Sequence, residues 1–304
     1  MPTTRGAALL LRPSAALVGL VLAAGCGQSS SGAGPTPVPG STTSGTGTAT
    51  ASASPEPEPE PTTTYALPPT RGVFDYQLGG AYDLPGLAVV GRDATAEPAE
   101  GAYSICYVNG FQTQPGDEAT WAGAREDLLL HDASGELVVD PDWPDEHVLD
   151  PSTEEQRTGI LEVMGPVIDG CAAHGFDAVE IDNLDTWTRF DQIPESGAVA
   201  LASAYIERAH AAGLAIAQKN AAEHTEAFHR LGFDFAVTEE CAVWDECAAY
   251  TDVYGEHVLQ IEYTDALPHP FADVCARPDR APLTILRDRD LVAKGDDAYA
   301  YDQC

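Results

Sequence analysis

Four segments of the chain each close an apolar run with charged or amide side chains. They are Ala178–Asn183 (Ala-Val-Glu180-Ile-Asp182-Asn183), Ala217–Asn220 with Gln218 and Lys219, Val237–Glu240 with Glu239, and Ile261–Tyr263 with Glu262. Two carboxylates facing each other across a pocket are the equipment of glycoside hydrolysis: one protonates the leaving oxygen, and the other attacks or activates water. Asp182 and Glu239, at the ends of two such segments, fit that pairing. Glu180, two residues before Asp182, shares its face in a strand and is placed to raise the pKa of Asp182 or to pair with Lys219. A single polar end reads as the start of a solvated loop, whereas four in succession favour a site. Tyr76, Tyr107, Trp143, Trp187 and Tyr263 are candidates for stacking on sugar rings, although for each taken alone ordinary packing is the favoured reading.

Lys219 is one of only two lysines. A buried barrel lysine can form a Schiff base. Carboxylates at Glu180, Asp182, Glu239 and Glu262 would instead keep it charged and poorly nucleophilic, so an orienting cation is the favoured role. His210 and His224 lack H-E-x-x-H spacing, and neither a metal nor a cofactor is expected.

The elements that must carry these residues follow from periodicity. Strands are expected at Val73–Gln77, Leu87–Gly91, Tyr103–Val108, Ala178–Asp182, Leu214–Lys219, Asp234–Glu239, His257–Glu262 and Pro282–Arg287. Helical patterns lie at Pro151–His174, Gly197–Ala212 and Ala221–Leu231, the first two closed by Gly175 and Gly213. This order fits an α/β fold, a (β/α)8 TIM barrel, in which the C-terminal strand ends form one rim and carry the site. The interval between the second and third strands is too short for a full helix, which leaves room for irregularity there. A doubly wound open sheet is the alternative, but no G-x-G-x-x-G turn follows the first strand.

Residues 1–26 read as a signal peptide: Arg5 and Arg12, a short apolar stretch, then Ala23-Ala24-Gly25-Cys26. A cysteine directly after small residues is the bacterial lipoprotein pattern, with lipid on Cys26; an ordinary secretory signal is the alternative. Residues 27–64 are mostly Ser, Thr, Gly and Pro, with Val38 the only branched aliphatic, and read as a disordered tether. Residues 65–304 form the expected domain, anchored outside the cell membrane. The chain has 48 acidic and 15 basic residues. Most of that imbalance remains in the domain, which argues against nucleic-acid binding and would attract a cationic substrate. Six cysteines besides Cys26 suggest disulfides. Sequence does not fix the connectivity, but proximity favours Cys241–Cys247, then Cys275–Cys304, leaving Cys106–Cys171.

The runs Gly175–Asp185, Ala209–Asn220 and Phe233–Cys241 through Glu246-Cys247 resemble glycoside hydrolase family 114, the endo-α-1,4-polygalactosaminidases. Phe74–Gly79, Cys106-Tyr107, Trp143–Glu146 with Leu149-Asp150, and Ile261–Tyr263 add to the likeness. The resemblance implies a TIM barrel that hydrolyses galactosamine-containing polysaccharide without a cofactor; a monomer is expected. It places the catalytic pair at Asp182 and Glu239, with Glu239 as acid and Asp182 as nucleophile, or the reverse. Glu240 is a contender but should point away if Glu239 points in. Asp75, Tyr76, Asp93, Tyr107 and Glu180 would line subsites, together with Asn183, Asp185, Lys219, Asn220, Glu262 and Tyr263. Tyr76 stands where many members carry Trp, and Val108–Gln114 replaces a Ser-rich turn, so the sugar is less defined than the reaction. A polysaccharide-binding lipoprotein without catalysis and a Schiff-base lyase are the rival readings.

Overall fold

Strands that are apolar on both faces belong in a parallel sheet closed beneath helices, and here most strand residues are buried on both sides. The structure, a computed structural model, describes residues 65–121, 123 and 125–304. The expected signal peptide with Cys26, and the expected tether, lie outside the described residues.

The strands are β1 (Val73–Gln77), β2 (Leu87–Asp93), β3 (Tyr103–Asn109), β4 (Ala178–Asp182), β5 (Ala215–Lys219), β6 (Phe235–Glu239), β7 (Val258–Tyr263), β8 (Leu283–Arg287) and β9 (Tyr301–Gln303). The first eight pair in parallel in chain order, and β9 runs antiparallel to β8. The helices are α1 (Glu118–Trp121), α2 (Glu154–His174), α3 (Thr186–Arg189), α4 (Glu195–Ala211), α5 (Thr225–Leu231), α6 (Cys241–Trp244), α7 (Cys247–Tyr254) and α8 (Phe271–Cys275). The sheet is thus a nearly closed TIM barrel, with no helix between β1 and β2 or between β2 and β3. The single helix expected at Ala221–Leu231 is instead a 3-10 turn, Ala222–His224, followed by α5.

Alternation divides the core. Phe74, Tyr76, Ile105, Ala217, Phe235, Val237, Ile261 and Ile285 fill the barrel interior. Val179, Ile181, Ile216 and Ala236 face outward onto α2, α4, α5 and α7. Thr153 and Gln156 form a reciprocal capping box at the start of α2, and Gly175 closes its end with φ of 92°.

The seam between β8 and β1 is bridged largely by side chains. Gln303 Oε1 accepts from the Phe74 N–H (3.2 Å), and Gln303 Nε2 donates to Gly72 O (2.8 Å). Tyr301 donates to Phe74 O (2.9 Å), and the buried Arg287 on β8 pairs with Asp75 on β1 (2.7 Å). Disulfides join Cys106 to Cys171, Cys241 to Cys247 and Cys275 to Cys304. Between β3 and α2 the chain folds into a small antiparallel ladder, pairing Gln112 with Val148, Leu129 with Leu149 and Val139 with His147.

Candidate active site

β4, β5 and β6 end in the same way. Asn183 (φ 61°), Asn220 (φ 48°) and Glu240 (φ 60°) follow Asp182, Lys219 and Glu239 directly, and each adopts the left-handed conformation that non-glycine residues seldom take. The backbone therefore turns sharply away after each functional residue, leaving Asp182, Lys219 and Glu239 at the strand tips. Hydrogen bonds hold these turns: Asn183 N–H donates to Asp182 Oδ1 (2.8 Å), and Glu239 N–H donates to Asn220 Oδ1 (2.8 Å). Local strain of this kind tends to be kept at functional sites.

Lys219 is the hub. Its Nζ lies 3.1 Å from Glu239, 3.3 Å from Glu180 and 3.5 Å from Asp182, with its side chain almost wholly buried. Burial alone would lower the lysine pKa, but Asp182, Glu239 and Glu180 outweigh it and hold the ammonium well above its usual range. Such an amine is charged at neutral pH, which disfavours Schiff-base chemistry. The catalytic candidates are oriented from their other sides as well. Tyr107 donates to Asp182 Oδ2 (2.8 Å), Tyr263 donates to Glu239 Oε1, and Asn220 Nδ2 donates to Glu239 Oε2 (3.3 Å). Burial, and then the facing carboxylate, keep both tyrosine hydroxyls protonated as donors.

These groups stand at the floor of a cleft of about 630 Å³, a size that suits a few sugar units. Asp93, Asn183, Asp185 and Asn220 join Tyr107, Asp182, Lys219, Glu239 and Tyr263 on its wall. Asp93 accepts from Gln114 Nε2 (3.2 Å), and Asp185 lies 3.9 Å from Arg189. Burial raises the Asp185 pKa, against the nearby Arg189.

Four expected subsite residues are not on that wall. Asp75 faces the seam and pairs with Arg287. Tyr76 and Glu180 share the interior face with the catalytic candidates but sit below them. Tyr76 donates to Glu180 Oε1 (2.7 Å), both side chains are fully buried, and the Tyr76 ring packs across Gly91, where a Cβ would fall 2.5 Å from it. Glu262 has the opposite strand parity to Tyr263. It lies beneath α6, accepting from Ala242 N–H (3.0 Å) and Gln260 (2.8 Å). Its carboxylate approaches Cys241 and Cys247, but those sulfurs are joined to each other.

Glu240 also departs from expectation. Its left-handed backbone breaks strand alternation, so its carboxylate stays on the cleft and pairs with Arg289. Arg289 itself lies 4.4 Å over the Tyr263 ring. Trp187 packs on His224 and Phe228 instead of joining the wall. Sequence reasoning passed over Trp244, 66% exposed at the cleft lip, and Glu146, buried in its wall. Trp143, an expected stacking aromatic, does line the cleft, whereas Glu146 enters the sequence reading only through the family likeness.

The matched family model is that of glycoside-hydrolase family GH114, over residues 54–304. Among solved structures, the chain is similar to Ega3 of Aspergillus fumigatus in complex with galactosamine. That match has 19% identity and a TM-score of 0.61, covering 80% of this chain and 99% of that one. The glycoside hydrolase domain of PelA from Pseudomonas aeruginosa matches with 13% identity and a TM-score of 0.53, over 73% of this chain and 97% of that one. At these identities the two structures bear on the fold alone. No curated protein matches the chain.

Proposed function

The chain belongs to glycoside-hydrolase family GH114 and is a glycoside hydrolase, and we propose that it cuts α-1,4-linked, galactosamine-containing polysaccharide by a two-carboxylate mechanism. One observation carries this reading: Asp182 and Glu239, on non-adjacent strands, meet at the floor of an acidic cleft with Lys219 between them. The negative charge suits a cationic polymer with free amines, and the similar Ega3 structure holds galactosamine.

We assign the nucleophile to Asp182 and the acid to Glu239. An Asp182 oxygen attacks the anomeric carbon, the glycosidic C–O bond breaks, and Glu239 gives its proton to the leaving oxygen. Water, deprotonated by Glu239, then attacks the same carbon and releases Asp182. Asp182 Oδ2 and Glu239 Oε2 lie 3.5 Å and 3.1 Å from one nitrogen, so their separation cannot exceed the sum of the two. So close an approach of the two carboxylates suits the ~5–5.5 Å spacing of retaining enzymes better than the ~6.5–9.5 Å of inverting ones. Retention is therefore the proposed stereochemistry. Lys219 balances the two carboxylates and orients them.

The test is incubation with partly deacetylated α-1,4-galactosamine polymer, followed by reducing ends and oligomer masses. Asp182→Asn and Glu239→Gln should each lower the rate by about 10³-fold or more. Azide should rescue a nucleophile variant, and an activated leaving group an acid variant, which fixes the assignment. Polymer that binds without being cut would replace the hydrolase reading with a binding role. We also propose that residues 1–26 direct export and that Cys26 carries lipid. The basic, apolar and small-residue order of that segment supports this, and loss of fatty-acid labelling in Cys26→Ser would test it.

A further inference from the structure

Glu146 lies on the ladder between β3 and α2, on a turn closed by its own N–H donating to Trp143 O (2.9 Å). Within four residues this turn presents an indole that is 58% exposed and a carboxylate that is only 9% exposed. Both line the cleft that holds Asp182.

The carboxylate is held without being neutralised. Asn109 Nδ2 donates to Glu146 Oε2 (2.7 Å), and Asn109 Oδ1 accepts from Asn183 Nδ2 (2.9 Å). Asn183 Oδ1 in turn accepts from Arg189 (2.7 Å), whose other nitrogen pairs with Asp140. The network thus fixes Glu146 through the residue that follows Asp182. Among the described residues Glu146 forms no ion pair. The charged groups facing it are Asp182 from β4, Asp140 from its own ladder and Arg189 from α3. Arg189 is the single cation among them, and it is already committed to Asp140 and Asn183. Burial first, then Asp182 and Asp140, raise the Glu146 pKa to about 7, against the Asn109 hydrogen bond and Arg189.

A buried carboxylate lacking a counter-charge, beside an exposed aromatic face, complements a ring that carries an ammonium group. We propose that the Trp143–Glu146 turn is a subsite for an amino sugar, with Trp143 covering the ring face and Glu146 pairing with the free 2-ammonium. This turn then sets the preference for free over N-acetylated sugar. An acetamide in the same place offers no positive charge, and the carboxylate stays uncompensated. The inference rests on the galactosamine-polymer reading and assigns that selectivity to one side chain.

Glu146→Gln tests it, because glutamine keeps an acceptor for Asn109 and nearly the same volume. Steady-state kinetics with fully deacetylated and fully N-acetylated α-1,4-galactosamine oligomers of equal length give the readout. The ratio of kcat/KM, free amine over acetylated, should fall about tenfold, the worth of one charge-assisted hydrogen bond. The change should appear in KM. Wild-type KM for the free-amine oligomer should rise as pH falls from about 7 to about 5, where the sugar amine stays charged while Glu146 takes up its proton, and this rise should flatten in the variant. An equal change for both oligomers, or an unaltered pH profile, overturns the subsite and leaves Glu146 as scaffold. A fall in kcat for both overturns it too, by placing Glu146 in the chemistry.

Calorimetric binding of the same oligomers in a Glu239→Gln background separates this inference from its parent. Preference for the free amine that Glu146→Gln abolishes supports the subsite even if the wild type cleaves neither oligomer. Binding without preference overturns the subsite while leaving the polymer reading intact, and no binding by either oligomer overturns both.

Discussion

Two strands of the barrel end in a buried cation, β5 in Lys219 and β8 in Arg287, and the two ends have been put to different uses. The five N–H groups of Arg287 reach Asp75, Tyr76 O, Asp288, Ala300 O and Val292 O, and its side chain is wholly buried. Its partners come from β1 and from the segment leading into β9, so the guanidinium fork locks the seam and leaves nothing free. Lys219 is equally dry, yet two of its three carboxylate partners keep part of their surface open to the cleft, 20% for Asp182 and 24% for Glu239. A compact ammonium can offset several anions without occupying all their lone pairs, whereas a planar fork that engages every donor is a clamp. A buried ion pair serves the fold when both partners are saturated, and it can serve chemistry when the anions keep a face toward substrate.

Swapping the cations for apolar residues would break this contrast most severely. Arg287→Leu strands Asp75 without its partner and should cost roughly 3–5 kcal/mol in urea unfolding, while molecules that still fold retain near-normal kcat. Lys219→Met should lower kcat by about 10²–10⁴-fold, with a smaller loss of stability, because Glu180 can take up a proton in place of the lost cation. Unfolding of Lys219→Met, together with a stable but inactive Arg287→Leu, would reverse the two assignments.

A proton should sharpen the contrast next. Burial raises Glu180 to about 7, against the opposing pull of Lys219 and the Tyr76 hydroxyl. An unfolded glutamate titrates near ~4.3, so the folded protein binds an extra proton between these values. The stability linked to Glu180 is therefore full below about pH 4 and is lost as pH rises through 7. Glu180→Gln should flatten the stability curve between pH 5 and 7 by up to about 1 kcal/mol per pH unit, as read by denaturation at several pH values. An unchanged slope would assign this pH dependence to other groups.

The same two regions show what the sequence made legible. The rim residues were readable because each ends a short apolar strand, and apolar residues on both strand faces marked the barrel. Strand parity also contained the means to separate Glu262 from Tyr263 and Asp75 from Tyr76, since neighbours point to opposite faces. Two residues of rise along β4 likewise put Glu180 one layer beneath Asp182. The seam was opaque for a different reason. The three-residue β9 has no periodicity of its own, and it exists because Arg287 and Gln303 find partners more than two hundred residues away on β1. Glu240 misled for a third reason: alternation holds only while the backbone stays extended, and its φ of 60° ends it.

The smallest expected effect concerns the lip of the cleft. The Cys241–Cys247 disulfide spans six positions in sequence, and within that loop Trp244 stands 66% exposed over the cleft. Glu262 anchors the loop from below by accepting the Ala242 N–H (3.0 Å). An indole this exposed adds little to the core, so Trp244→Ala should shift Tm by no more than a degree or two. Its value lies in stacking on a sugar, worth about 1 kcal/mol for an aromatic face. KM for long polymer should rise about fivefold with kcat unchanged, while oligomers too short to reach the lip are unaffected. A falling Tm with KM unmoved would make Trp244 packing after all, and would confine substrate recognition to the floor around Lys219 and the wall around Glu146.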